Sequence, residues 1–227
     1  MTITLEQVVP WGRSKDEYVR FFDLSASDMS SRIVGVGDGP ASFGAELGVP
    51  GRFVVSCDPI YQFKAEELRQ RIDATHDRLL AAVTANADLF VWNDIRSPEH
   101  LSEIRMAAMR RFLDDYAGPD RRGCYIAGAL PCLPFADSAF DLALCSHLLF
   151  LYSEHLSYEM HLRSIIEMCR IAREVRIFPL IMLGNAPSPH FEPLLAELRG
   201  RHYKAEVRDV PYEFQKGGHR MLTVTRC

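Results

Sequence analysis

The stretch from Arg32 to Tyr61, RIVGVGDGPASFGAELGVPGRFVVSCDPIY, decides the fold. Its first apolar run, Ile33 to Val36, predicts a strand, and its second, Phe53 to Cys57, predicts another. Pro40 to Leu47, between them, predicts a helix. The second strand ends in Asp58. Strand, turn, helix, strand and acid in this order indicate a βαβ unit of a parallel sheet.

The turn after the first strand, GDG at positions 37–39, is rich in glycine. Gly37 and Gly39 lack the Cβ atoms that would keep a ligand away from the backbone, and the following helix offers free N–H groups at its N-terminus. Asp58 lies about 20 positions further on, where an acid commonly accepts hydrogen bonds from ribose hydroxyls. The turn therefore predicts a nucleoside ligand with an anionic group. An ordinary βαβ turn with tightly packed glycines is the alternative.

The amino-acid composition limits the kinds of protein that this chain can be. The 227 residues, 48% of them hydrophobic and 25% charged, predict a single globular domain over residues 1–227. A formal net charge of −4 argues against nucleic acid as a partner. Six cysteines without a CxxC pair indicate reduced core residues, and the N-terminus shows no basic start followed by an apolar core. We expect a cytoplasmic protein without a membrane span.

Two segments are predicted to lie beside the ligand site. Residues 1–30 are expected to contain a short helix, since Ser14 and Glu17 match a capping box. This segment packs on the sheet or covers the nucleotide site. Residues 59–122 exceed what a single crossover needs and predict an insertion of two helices between the second and third strands. The apolar stripes of these helices are Leu68, Ile72, Leu79 and Val83, then Leu101, Ile104, Ala108 and Phe112.

The rest of the chain alternates apolar runs with helical patterns. We expect strands at Cys124–Ala127, Leu142–Cys145, Val175–Leu183, Lys204–Val210 and Arg220–Thr225, with helices from Ser153 to Ala172 and from Ser188 to Gly200. Together the elements predict a doubly wound α/β sheet, mostly parallel with one antiparallel strand.

Three runs, VGVGDGP, VSCDPIY and LPFADSAFDLALCSH, resemble the corresponding motifs of class I S-adenosylmethionine-dependent methyltransferases. The runs GDGPASF, DPIYQF, SHLLFLYS and REVRIFPL are similar, more closely, to a group of bacterial proteins described only as methyltransferases. The resemblance implies a Rossmann-like methyltransferase fold of seven strands, with S-adenosyl-L-methionine bound at the carboxyl ends of the first strands. It also implies methyl transfer to a small-molecule acceptor.

The resemblance assigns residues to the cofactor. It places the motif glycines under the methionine portion, Asp58 at the ribose and Ile60 against adenine. The full set expected to contact the cofactor is Gly35, Gly37, Asp38, Gly39, Asp58, Pro59, Ile60, Ala129, Leu130 and Ser146. The acceptor pocket is predicted over the cofactor, between the N-terminal segment and the insertion, because the insertion leaves and rejoins the sheet at the same edge. Its expected residues are Trp11, Arg13, Tyr18, Tyr61, Trp92, Arg105 and Phe150, with Arg105 contacting an anionic acceptor.

The chain also departs from the family pattern. Gly35 stands where many members have an acid, Ala41 replaces the third motif glycine, and Ala129 replaces the acid at the adenine edge. Asp38 is the nearest replacement for the lost charge, directed toward the cofactor amine. Its alternative role is to cap the following helix.

Methyl transfer from a sulfonium asks for alignment, exclusion of water and a base where the acceptor needs one. His147, at the end of a central strand, is the candidate base and is expected to titrate near neutrality. A shape or hydrogen-bonding role is its alternative. His155 and His161, with Glu159, are spaced onto different helix faces, so no metal site is expected.

Alternatives to a small-molecule methyltransferase remain. The first is an S-adenosylmethionine-binding domain with lost or altered chemistry, non-catalytic or regulatory, which Gly35 and Ala129 favour. The second is a nicotinamide-dependent oxidoreductase, although the GxGxxG fingerprint counted from Gly37 ends in Ser42. For the insertion, a homodimer interface or an extension of the core is the alternative to a lid.

Overall fold

A computed structural model of the chain describes residues 11–47, 54–119 and 124–226. The described strands are β1 Ile33–Val36, β2 Val54–Cys57, β3 Cys124–Ile126, β4 Phe140–Ser146, β5 Ala172–Phe178, β6 Tyr203–Asp209 and β7 Arg220–Arg226. The described α-helices are α1 Lys15–Phe21, α2 Phe43–Leu47, α3 Ala65–Ala85, α4 Pro98–Ala117, α5 Tyr158–Ile171 and α6 Phe191–Gly200.

The strands form one sheet in the order β3-β2-β1-β4-β5-β7-β6. All neighbouring pairs are parallel except those of β7, which runs antiparallel to both β5 and β6. The predicted seven-stranded, mostly parallel α/β sheet is therefore confirmed. The strand order reverses between β1 and β4, and ligands of open α/β sheets bind at such a switch point, outside the carboxyl ends of the strands.

Both faces of the sheet are covered, because side chains of the central strands alternate between two apolar layers. Ile33 packs in a cluster with Tyr18 and Phe21 of α1. Val34, its neighbour on β1, packs on the other side with Ile165 of α5 and residues of α6. The central strands are thus fixed from both sides, which holds their carboxyl ends in place.

The insertion contains two helices, as predicted. Ser97 caps α4 by accepting a hydrogen bond from the amide of His100, and Pro98 occupies the first turn. The predicted stripe of α3 is buried, and so is that of α4 except for the half-buried Ile104. The two helices pack against each other and over the β2 and β3 edge of the sheet, where Phe112 is in the core with Tyr125.

Several predicted boundaries were wrong. The fifth strand ends at Phe178, before Pro179, which has no N–H to continue the ladder. Helix α5 begins at Tyr158 with Ser157 as its cap, because Ser153 instead donates to the carbonyl of Phe150. Helices α2 and α6 also begin about three residues later than expected. Phe53, residues 1–10 and the end of the insertion at 120–122 lie outside the described residues.

In the described part of the chain, no helix combines the length and the apolar character needed to cross a membrane.

Candidate functional site

A cleft of about 490 Å³ opens at the carboxyl ends of β1, β2 and β4. It lies at the switch point of the sheet, where an α/β fold places its ligand site. We use "cleft" for the cavity lined by Trp11, Arg13, Tyr18, Gly37, Asp38, Gly39, Pro40, Asp58, Ile60, Leu68, Arg71, Ile72, Thr75, Arg78, Ser146, His147 and Leu148.

The floor of the cleft is the glycine turn after β1. Gly37 and Gly39 have φ angles of +68° and +56°, in the left-handed region that side-chain-bearing residues rarely adopt. A Cβ at Gly37 would lie 2.4 Å from Cδ2 of Leu148, whereas a Cβ at Gly39 would meet no atom within 4 Å. Gly37 therefore allows close packing, and Gly39 leaves free space in the cleft.

Asp38 points back from this turn into the protein. It is 6% exposed and accepts hydrogen bonds from the Tyr18 hydroxyl at 2.6 Å and from Ser56 Oγ at 2.7 Å. Burial raises the pKa of Asp38 to about 6; the two hydrogen bonds oppose that rise, and the charge of Asp58 adds to it. Its carboxylate makes these bonds and does not cap α2, which begins only at Phe43.

Asp58, at the end of β2, fixes the turn from the other side. Its Oδ2 accepts from the amide of Gly39 and its Oδ1 from the amide of Ile60, both at 2.9 Å. Burial raises the pKa of Asp58, and these two amides oppose the rise. An ionised carboxylate has about four acceptor sites, so lone pairs remain for a ligand. Tyr61 donates from behind to the carbonyl of Gly39 at 2.7 Å.

A second, smaller cavity of about 90 Å³ adjoins the cleft. Its walls come from the N-terminal segment, α3, α4, β5 and the segment between β6 and β7. We use "pocket" for the cavity lined by Trp11, Arg13, Leu79, Ala82, Val83, Phe90, Leu101, Arg105, His147, Leu151, Tyr152, Phe178, Pro179, Leu183, Tyr212, Phe214, Gln215 and Gly218. Trp11, Arg13 and His147 line both cavities.

His147 lies at this junction in a restrained position. Its φ is +52°, its amide donates to the carbonyl of Phe178 at 2.6 Å, and its Nδ1 lies 2.8 Å from Ser146 Oγ. Its ring packs against Phe21 and Phe178, at 4.9 and 5.3 Å between centroids. Burial, followed by the charges of Arg13 and Arg105, lowers the pKa of His147 well below 6.5. The expectation that His147 titrates near neutrality was therefore wrong.

Two arginines reach the pocket, and their surroundings differ. Arg105, 2% exposed, places Nη1 2.5 Å from Glu17 Oε2, while the Tyr212 hydroxyl donates to Glu17 Oε1 at 3.3 Å. Arg13 donates through Nη1 to the carbonyl of Trp11, and its buried Nε has no hydrogen-bond partner among the described residues. Burial, then the charge of Arg105, lowers the pKa of Arg13 to about 10.

The two cavities bring together many of the predicted site residues from distant parts of the chain. Those that line the cleft or the pocket are Trp11, Arg13, Tyr18, Gly37, Asp38, Gly39, Asp58, Ile60, Arg105, Ser146 and His147. Those that line neither are Gly35, Pro59, Tyr61, Trp92, Ala129, Leu130 and Phe150.

The side chains outside the cavities have other surroundings. Phe150 is fully buried in the core, against Phe191, because its turn directs it away from the cleft. Trp92 packs behind the pocket on Phe214 and donates to the carbonyl of Ala87. Tyr61 is buried in the aromatic cluster under α4 and supports the glycine turn.

The remaining predicted residues outside the cavities are Gly35, Pro59, Ala129 and Leu130. Gly35 lies behind the Asp38 carboxylate. Pro59 and Ala129 are exposed. Ala129 and Leu130 begin a turn in which the amide of Cys132 donates to the carbonyl of Ala129.

Sequence reasoning missed one wall of the cleft. Arg71, Thr75 and Arg78 of α3 line it, and Phe214 lines the pocket from the segment between β6 and β7. The α3 residues follow Leu68 at intervals of three or four residues, so the sequence did indicate that they lie on the same face of the helix. Phe214 carried no such signal, since its position depends on long-range packing. The described residues bring together no group of three or more His, Cys, Asp and Glu side chains suited to a metal ion.

The sheet order and the position of the cleft are those of the class I methyltransferase fold, as comparison with solved structures shows. Crystal structures of magnesium protoporphyrin IX methyltransferase from Synechocystis PCC 6803, with bound SAM and with bound SAH, superpose with TM-scores of 0.51 and 0.50. They match 94% of this chain and 78% and 82% of theirs, at 12% and 13% identity, and this likeness concerns the fold alone.

By sequence, the chain is 33% identical over 228 residues to "Uncharacterized protein MJ0045" of Methanocaldococcus jannaschii, and the match covers 99% of both chains. The chain belongs to the same family as that protein. This relative is archaeal, so it does not support the expected likeness to a bacterial group. No model of a known protein family matches the chain.

Proposed function

We propose that this protein binds S-adenosyl-L-methionine in the cleft and transfers its methyl group to a small molecule in the pocket. The observation that carries the proposal is the junction of the two cavities. Trp11, Arg13 and His147 line both, so a ligand in the cleft and a ligand in the pocket would meet at these three residues. A transfer reaction needs two ligands in contact, aligned and away from water.

The cleft fits the cofactor in size and in chemistry. Its volume of about 490 Å³ is within the usual range for small-molecule sites. Gly39 leaves free space where another residue would have a side chain. Two buried carboxylates, Asp38 and Asp58, suit a ligand that carries an amine, a sulfonium and ribose hydroxyls.

Each part of the cofactor then has a candidate partner in this chain. Asp58 would accept hydrogen bonds from the ribose hydroxyls with the lone pairs that Gly39 and Ile60 leave free. Ile60 would pack against adenine. Asp38 lines the cleft, and the lone pairs that Tyr18 and Ser56 leave free would face the amine of the cofactor. Its carboxylate lies beside Gly35 and would thus replace the acid that many members of the class carry at position 35.

When bound, S-adenosyl-L-methionine supplies a methyl group on a sulfonium, ready for in-line displacement. The protein's part is to hold the acceptor and exclude water. We propose that the described parts of the two segments, residues 11–30 and 59–119, form the lid that does so, since Trp11, Tyr18 and α3 line the cleft. This placement favours a lid over a homodimer interface as the use of the insertion. His147 is held neutral and would accept a hydrogen bond or a proton from the acceptor.

We further propose that the protein acts in the cytoplasm and on small molecules, not nucleic acid, in keeping with its net charge of −4. The alternative is a cofactor-binding domain that has lost or changed the reaction. The surroundings of His147 favour that alternative, because burial and the charges of Arg13 and Arg105 lower the pKa of this candidate base well below 6.5 and make it a weaker base.

Labelled methyl transfer separates these functions. The protein is incubated with S-adenosylmethionine that carries a deuterated methyl group and with a small-molecule extract, and products are followed by mass spectrometry. We expect a product heavier by one labelled methyl group, and a smaller amount of it with Asp38→Asn under the same conditions, because that variant binds the cofactor more weakly. Cofactor binding without any labelled product would support the alternative, and absence of cofactor binding would contradict both.

A further inference from the structure

The pocket is an apolar cavity with an excess of positive charge. Its walls are mainly aromatic and aliphatic, such as Phe90, Phe214 and Leu101. Among the described residues that line it, two are arginines and none is Asp or Glu. Burying a cation in such surroundings is costly unless an anion pairs with it. The balance of charge around the two arginines therefore decides what ligand the pocket favours.

Glu17 neutralises one arginine and not both. Its Oε2 lies 2.5 Å from Arg105 Nη1 and also accepts from the amide of Ser14 at 3.1 Å. Its Oε1 accepts from the Tyr212 hydroxyl. The carboxylate is thus committed to Arg105 by direct contact, and it acts on Arg13 only through its charge, which opposes the fall in the pKa of Arg13. Arg105, which the sequence suggested for an anionic acceptor, already has its anion.

Arg13, in contrast, has no matched anion among the described residues. Its backbone is fixed, because its carbonyl accepts from the amide of Ser42 at 3.0 Å and a Cβ on the preceding Gly12 would lie 2.1 Å from the carbonyl oxygen of Pro40. Its guanidinium makes one bond to the carbonyl of Trp11, and its buried Nε is unpartnered among the described residues. A rigid segment thus holds an unsatisfied buried donor at the junction of the cleft and the pocket.

The other described groups around Arg13 do not supply this anion. Tyr18 gives its hydroxyl proton to Asp38, which also accepts from Ser56. His147 is neutral, and Arg13 and Arg105 are the charges that lower its pKa, so the positive potential extends to the junction.

We infer that the acceptor is a small carboxylate with an apolar body, whose anionic group binds the Arg13 guanidinium while its body fills the pocket. The inference deepens the proposed function and rests on it. A guanidinium offers paired donors that match a carboxylate in a bidentate arrangement. The pocket volume of about 90 Å³ limits the buried body to a short aliphatic chain, since the cavity that holds benzene is larger, at about 150 Å³. The carboxylate of the cofactor itself is the other source of the same chemistry.

The test uses the full chain saturated with S-adenosylhomocysteine, with calorimetric titration of propionate, butyrate and isobutyrate against their neutral amides. Variants Arg13→Gln and Arg13→Lys are compared with Arg110→Gln, which removes the same charge from an exposed position on α4. We expect at least one carboxylate to bind about tenfold or more tightly than its amide. We expect this preference to be lost in Arg13→Gln, to be weaker but still present in Arg13→Lys, which keeps the charge without the paired donors, and to be unchanged in Arg110→Gln.

Separate outcomes overturn the inference. Equal binding of carboxylates and amides, or no binding of any carboxylate at millimolar concentration, contradicts an anionic acceptor. If Arg13→Gln weakens S-adenosylhomocysteine but not 5′-methylthioadenosine, which lacks the amino acid portion, then Arg13 serves the cofactor carboxylate and the inference is wrong. Failure of the wild-type chain to bind S-adenosylhomocysteine at all would instead count against the proposed function.

Discussion

The carboxylate of Asp38 occupies the space that a side chain at Gly35 would fill. A Cβ built on Gly35 would lie 2.2 Å from Asp38 Oδ2 and 2.3 Å from Oδ1. Asp38 cannot swing away freely, since the Tyr18 hydroxyl and Ser56 Oγ each hold one of its oxygens. The end of β1 thus receives its negative charge from three residues further along the chain, and Gly35 is the residue that leaves room for it.

Gly35→Ala should therefore destabilise the protein by about 1–3 kcal/mol, as overpacking of a full core does. Gly200→Ala is the control, because Gly200 ends α6 and an added Cβ meets no atom within 4 Å. That control should change stability little, or raise it by up to about 1 kcal/mol. Urea unfolding measures both. In the double variant Gly35→Ala/Asp38→Ala the loss should be smaller than the sum of the single losses, and strict additivity would contradict the steric account.

Asp38→Asn should change how stability depends on pH. The folded pKa of about 6 exceeds the ordinary value of 3.8, so between these values the folded protein keeps a proton that the unfolded chain has lost. Stability contributed by this group is therefore highest at low pH and falls as pH rises through this window, by about 3 kcal/mol. Asn cannot ionise, so the stability of the variant does not fall with pH in this way. The stability difference between variant and wild type should grow in favour of the variant from about pH 4 to about pH 7, and a constant difference would refute the buried carboxylate.

Asp58→Ala should affect both binding and folding. Loss of hydrogen bonds to ribose should weaken S-adenosylhomocysteine by about 1.5–3 kcal/mol. The variant should also be less stable by about 1–2 kcal/mol, because the amides of Gly39 and Ile60 lose their hydrogen-bond acceptors. Asp58→Asn, which keeps one acceptor oxygen, should be intermediate in both respects. Calorimetry and thermal unfolding give the two quantities, and unchanged affinity in a folded variant would remove Asp58 from the site.

His147 should remain neutral across the physiological range. Its pKa lies well below 6.5 because of burial and the charges of Arg13 and Arg105. Its imidazole resonances, assigned by their absence in His147→Asn, should not titrate between about pH 8 and about pH 6. Asn suits this control because it tolerates a positive φ. In Arg13→Gln the midpoint should move upward. A wild-type midpoint near the ordinary value would show that the ring is hydrated and not held at the junction.

How far the sequence determines this structure depends on the range of the interactions involved. The strands β1, β2 and β4 and the helices α3 and α4 were predicted from apolar periodicity, because the burial that forms them repeats within each element. The start of α5 was predicted wrongly because a distant partner takes part. Ser153 looks like a helix cap in sequence, but its hydroxyl lies 2.7 Å from that of Ser188, far along the chain.

Residues of the site, too, were predictable where local interactions position them and not where long-range contacts do. Gly37, Gly39 and Asp58 were found from spacing alone, since one βαβ unit positions all three. The sequence did not show that Arg105 is already paired, because its partner Glu17 lies 88 positions away along the chain. Phe150 follows the motif beside the cleft, yet a single turn of backbone sends its ring into the core.

Calorimetric titration of the wild-type chain with S-adenosylhomocysteine, beside NADH, tests the central claim most directly. The account predicts saturable binding of one S-adenosylhomocysteine per chain, weakened by Asp38→Asn and by Asp58→Ala, and no binding of NADH. Absence of binding of S-adenosylmethionine and S-adenosylhomocysteine at millimolar concentration, with clear binding of NADH, would contradict it.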